Sequence, residues 1–113
     1  MFVLKDVPDL WVDVEIQVPG EEAVSTFQAR WRLHSWSEYQ RIVKAMQTEE
    51  VADETLVDDD LLEIAGIQDE HGNDVAHSAE LVSQLLEVPY VRRPLILSWF
   101  KAQEGRAAAA AKN

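Results

Sequence analysis

The chain has 113 residues, of which 47% are hydrophobic and 27% charged, with a formal net charge of −11 and no cysteine. A chain of that length makes one domain that buries roughly 60–70% of its unfolded surface, and the missing cysteines exclude disulfides, thiolate zinc sites and cysteine nucleophiles. Between Lys44 and Arg92 no Lys or Arg occurs, against thirteen carboxylates, a surface that repels phosphate backbones and leaves solubility or a basic partner as the expectation rather than nucleic acid.

The N-terminus, MFVLKDVPDLW, lacks a basic segment followed by an apolar run. No stretch approaches the roughly 20 apolar residues that span a bilayer, so no membrane association and a cytoplasmic location are expected. From residue 11 to 18 the chain alternates, Val12, Val14, Ile16 and Val18 against Asp13, Glu15 and Gln17, which is the period of a half-buried strand. Pro19-Gly20 supplies a turn, and alternation resumes with Phe27, Ala29, Trp31 and Leu33 against Thr26, Gln28, Arg30 and Arg32. A β-hairpin is predicted, with Asp13 or Glu15 paired across it to Arg30 or Arg32.

Ser35 and Glu38 have capping-box spacing, so a helix is predicted from there to about Gln47, with Trp36, Tyr39, Ile42, Val43 and Met46 on its apolar side. Residues 48–55 read as a connection. Asp58, Asp59 and Asp60 are placed to cap a short helix through Leu61, Leu62, Ile64 and Ala65, stopped by Gly66. Ser78 caps another helix carrying Leu81, Val82, Leu85 and Leu86, and Pro89 breaks or restarts it. A last helix, with Leu95, Ile96, Trp99 and Phe100, is predicted to begin near Arg93, because Pro94 lacks an amide proton and belongs in a first turn. The architecture expected is one α+β domain over residues 1–105, an N-terminal hairpin packed on about four short helices. Residues 106–113, RAAAAAKN, form a flexible Ala-rich tail in this reading.

The stretch IQDEHGNDVAHS, residues 67–78, gathers polar side chains that invite a metal reading. Counted as a calcium loop from Asp69, it places glycine fourth instead of sixth and histidine third, where an oxygen is needed. A zinc or iron site from His71, His77 and a carboxylate lacks the i, i+4 helical spacing that would make the ligands converge. The geometric reading is a turn, with Ile67 as anchor, Gly72 at positive φ and Val75 returning to the core. No nucleophile with its base, no phosphate-cradling glycine loop and no metal set is found, so catalytic residues, cofactors and metals are all expected to be absent.

Several pieces in order resemble a known family: FVLK at residues 2–5, VPG at 18–20, Phe27 and Ala29, Gly66-Ile67, Asp69-Glu70, Gly72-Asn73, Val75, Ser78, Glu80-Leu81, Leu85-Leu86, residues 89–92 as PYVR, and Lys112-Asn113. Collinear over nearly the whole chain, this set is similar to the tail assembly chaperones of long-tailed bacteriophages and prophages. Pro94 and His77 depart from the pattern. The resemblance implies a non-enzymatic assembly factor that coats the tape measure protein, brings tail tube protein subunits to it, and is absent from the mature virion. Such proteins are often made in short and frameshifted long forms, and a slippery adenine run behind Lys112-Asn113 is the corresponding expectation.

A coating protein needs reversible apolar contact, and the predicted partner-binding residues are Trp36, Tyr39, Tyr90, Leu95, Trp99 and Phe100, on two amphipathic helices. Most such rings belong to a core in a domain this small, and an exposed one is the informative case. Self-association into a homo-oligomer would multiply weak contacts along a fibre. The alternative from the charge alone is an acidic inhibitor that mimics nucleic acid in a basic protein's groove.

Overall fold

The computed structural model describes residues 1–106. In chain order they form β1 (Asp9–Ile16), β2 (Ser25–Arg32), α1 (Trp36–Gln47), α2 (Asp53–Asp60), β3 (Leu61–Ala65), α3 (Ala79–Leu86) and α4 (Pro89–Gln103). This is an α+β architecture with a three-stranded antiparallel sheet in the order β1-β2-β3. The predicted hairpin is present, with Val12 opposite Ala29 and Val14 opposite Phe27. Its alternation sends Val12, Val14 and Ile16 of β1 and Phe27, Ala29 and Trp31 of β2 into the core. α4 lies on that face and contributes Leu95, Ile96, Trp99 and Ala102; Leu56 and Val57 of α2, Leu61 and Ile64 of β3, and Leu81 and Val82 of α3 complete the core.

The cross-strand charge pairs differ from the prediction. Arg30 bridges Asp9 at 3.3 Å and Glu63 at 3.2 Å, with its guanidinium over the Trp11 ring. The register explains the difference: Asp13 lies opposite Gln28, whose amide donates to it at 3.1 Å, and the neighbour that reaches Arg30 diagonally is Asp9.

Three helix expectations are corrected. Residues 48–55 are not all connection, because α2 already starts at Asp53. Asp58, Asp59 and Asp60 do not open a helix; they close α2, and the Leu61, Leu62, Ile64 and Ala65 segment is β3. Pairing decides the matter: the second edge of β2 takes Glu63 opposite Arg30 and Ala65 opposite Gln28, and Leu62 is absorbed as an extra residue where the register slips. Gly66 therefore ends a strand, at φ +84°, where a Cβ would meet the Gln28 Oε1 at 2.5 Å. α4 begins at Pro89, so Pro94 sits inside it. The buried Leu95, Ile96 and Trp99 hold the helix through the proline that would otherwise interrupt it.

The caps follow the sequence closely. The Ser35 Oγ accepts from the Glu38 N–H at 3.3 Å and the Ser78 Oγ from the Leu81 N–H at 3.0 Å. The Glu38 carboxylate, however, pairs with Arg41 instead of reaching back, so the box is half made. Residues 67–75 form the expected turn: the Val75 N–H donates to the Ile67 carbonyl, and the Asp69 Oδ1 accepts from the N–H groups of His71 and Asn73 at 2.9 and 3.0 Å. The proposed flexible tail lies, beyond Arg106, outside the described residues. Among the described residues no helix is long and apolar enough to cross a membrane.

Candidate functional site

Four aromatic rings run from the core to the surface. The Ser35 cap starts α1 so that Trp36 and Tyr39 lie one turn apart on one side. Trp36 stacks on Tyr39 with centroids 5.6 Å apart, and Tyr39 stacks on Trp99 at the same 5.6 Å separation and 10° between planes. Trp99 meets Phe100 edge-on at 4.9 Å. Such offset and T-shaped pairs each contribute roughly 0.5–1.5 kcal/mol beyond area burial. The inner end is closed: Trp99 is fully buried, whereas Trp36 is 69% exposed.

Polar groups fix the inner end. Asp60, at the last position of α2 and only 3% exposed, accepts at Oδ2 from the Trp99 Nε1–H at 2.8 Å, and the His34 Nε2 lies 2.8 Å from the same oxygen. That contact puts the proton of a neutral His34 on Nε2. The Trp31 Nε1–H donates to the buried Ser98 Oγ at 2.8 Å, whose hydroxyl donates to the Leu95 carbonyl at 2.6 Å. Gln103 ties the end of β2 to α4, accepting from the His34 N–H and donating to the Arg32 carbonyl. No buried side-chain nitrogen or oxygen among the described residues is left without a partner. Each of these groups orients a ring or a chain end; the His34–Asp60 pair is directed at an indole rather than at a hydroxyl nucleophile.

Beside the outer end lies a shallow notch of about 300 Å³ lined by His34, Trp36, Tyr39, Gln103 and Glu104. The apolar side of α1 continues from it: Tyr39, Ile42, Val43 and Met46 pack on the core yet stay half-buried, and α1 has no fully buried residue. The six predicted binding residues thus separate. Trp36, Tyr39, Trp99 and Phe100 form one ladder; Tyr90, 44% exposed, stands apart on the first turn of α4; Leu95 and Trp99 are fully buried in the core. Both helices carry apolar side chains at helical spacing, and the packing decides which of them stay open.

Sequence reasoning missed Leu97, 44% exposed beside a concavity of about 450 Å³ that Pro89, Arg92 and Ile96 help to line. Starting α4 at Pro89 would have put Leu97 on its outer side with Tyr90. It missed Asp60 as well, because a carboxylate within an acidic run gives no sign of burial. His71 is exposed, and the His77 Nδ1 accepts from the Ile64 N–H at 3.1 Å, taking an outward amide of β3. Among the described residues no group of three or more His, Cys, Asp or Glu side chains is placed to hold a metal ion. Arg92 gathers Asp53 at 3.2 Å and Glu54 at 2.9 Å; the hydrogen bond from Arg92 holds the Glu54 carboxyl below its ordinary range and, reciprocally, raises that of Arg92.

Comparison of the chain with family models, curated proteins and solved structures found no match.

Proposed function

We propose that this chain is a tail assembly chaperone of a long-tailed bacteriophage or prophage, a non-enzymatic protein that binds the tape measure protein through the open end of its aromatic ladder. The observation that carries the reading is Trp36, 69% exposed yet held in place by stacking on Tyr39. A ring already ordered loses little side-chain freedom on binding, so most of its apolar contact counts toward affinity. Covering it contributes about 2 kcal/mol, which is roughly thirtyfold in affinity. The half-covered Ile42, Val43 and Met46 add apolar surface along α1 that an amphipathic helix of the cargo would cover. The acidic surface keeps an aggregation-prone apolar cargo dispersed while it is bound. In this role the protein acts in the host cytoplasm, hands over to tail tube protein, and is left out of the mature virion.

The acidic-mimic alternative requires free carboxylates in a row. Of the thirteen between Lys44 and Arg92, Asp53 and Glu54 are engaged by Arg92, Glu63 by Arg30, Asp60 by Trp99, and Asp69 by its own turn. Co-expression tests the proposal. A helical tape measure fragment should become soluble and co-purify with this chain; an unchanged soluble yield with no co-purification overturns it.

A further inference from the structure

We propose that two copies of this chain join edge to edge, the N-terminal arm of each adding as a strand to β1 of the other. The inference stands independently of the cargo. Residues 1–8 lie outside any helix or strand and are exposed throughout, with Phe2 at 83%, Val3 at 68% and Leu4 at 87% exposure. Three successive large apolar side chains in water, continuous with a strand, are a surface awaiting cover.

The two sheet edges differ. At β3, the Ile64 N–H is taken by His77. At β1, the Leu33 N–H donates to the Pro8 carbonyl at 2.9 Å, and the regular register from Asp9 opposite Arg32 to Ile16 opposite Ser25 continues from that pair. In an antiparallel ladder this directs the backbone groups of Leu10, Val12, Val14 and Ile16 toward β2 and those of Asp9, Trp11, Asp13 and Glu15 outward. Among the described residues no backbone hydrogen bond takes the outward set. An eight-residue edge with no bulge and no proline is a template for another strand.

A second copy fits that template about a two-fold axis between the two Leu10 residues. Odd positions then face odd positions, as the outward backbone groups require: Lys5 opposes Glu15, Val7 opposes Asp13, and Asp9 opposes Trp11 of the other copy. Lys5 is the arm's one cationic side chain, and Glu15 is exposed with neither hydrogen bond nor ion pair among the described residues. Phe2 and Leu4 come alongside Val18 and Ile16 on the apolar side of the sheet. Pro8 falls at an even position, where its missing N–H is not needed by the incoming strand. Moving the axis to Asp9 would set Asp9 against Asp9, which like-charge repulsion disfavours. The same patch serves on both copies, so the contact closes as a dimer and the two three-stranded sheets become one of six strands.

Sedimentation equilibrium on the full chain should show a dimer. Lys5→Glu should weaken it by about tenfold or more through the two symmetric pairs, and Lys5→Glu combined with Glu15→Lys should restore it. Carbodiimide treatment of mixed light and isotopically heavy chains should join Lys5 to Glu15 between copies. A monomeric wild-type chain overturns the proposal, as does a dimer indifferent to Lys5→Glu or a Lys5–Glu15 link found only within one chain. Dissociation by Trp36→Ala with Lys5→Glu silent would assign the interface to α1, and also overturns it.

Discussion

α1 and α4 are both amphipathic, yet they occupy the molecule in opposite ways. α4 carries Pro94 in its interior and still buries Leu95, Ile96, Ser98, Trp99 and Ala102; α1 has cleaner periodicity, a serine cap and no fully buried residue. Helical period reports which face is apolar, not how deeply it is covered. Depth comes from the sheet: α4 lies across β1 and β2, whereas α1 meets the core with half-buried side chains, Tyr39, Ile42, Val43 and Met46, of which Tyr39 stacks on Trp99. One helix is consequently structural, and the other presents a surface.

The largest effect that separates them is expected at the inner end of the ladder. Trp99→Ala should destabilise by about 3–5 kcal/mol, since it opens a cavity and strips Asp60 of a buried donor, seen as a lower urea midpoint. A cost near that of an exposed residue would place α4 with α1. Pro94→Ala acts in the opposite direction. It restores an amide donor mid-helix and removes the clash with the preceding turn, so the urea midpoint should rise by the equivalent of about 1–3 kcal/mol. No gain would mean that α4 is bent to suit the proline. On α1, Ile42→Ala should cost only about 1 kcal/mol, because its side chain is half-buried.

The smallest effect is electrostatic. The hydrogen bond from Arg92 lowers the folded Glu54 pKa below its ordinary 4.5, so this contribution is fully present above the unfolded value and is lost as pH falls through the folded one. Glu54 is exposed and solvent screens the pair, so Arg92→Ala should lower thermal stability slightly near neutral pH. The difference from wild type should shrink on acidification below pH 4.5. A gap that widens there would contradict the pairing.

Local signals in the chain reached the hairpin, the Ser35 and Ser78 caps and the turn at residues 67–75, since each is decided by neighbours a few residues away; the start of α4 at Pro89 was missed because Pro94 reads as a first-turn residue. β3 was hidden because LLEIA has no alternation and follows three aspartates that resemble a helix start; only pairing with β2, some thirty residues earlier, makes it a strand. The aromatic candidates were legible as a set but not as a ladder. Leu95 and Trp99 share their spacing with exposed neighbours, and nothing local shows that Asp60 turns inward to hold the indole. The open end at Trp36 emerges only when Tyr39 is seen to take the buried Trp99 on one side and leave Trp36 on the other.

The central claim is that Trp36 serves binding and not folding. The direct measurement is Trp36→Ala, read in parallel as urea midpoint and as recovery of a co-expressed tape measure fragment. The account predicts a stability change within about 1 kcal/mol, since the ring is mostly in water, together with a marked loss of the soluble fragment. Undiminished recovery, or unfolding of the variant, would contradict it.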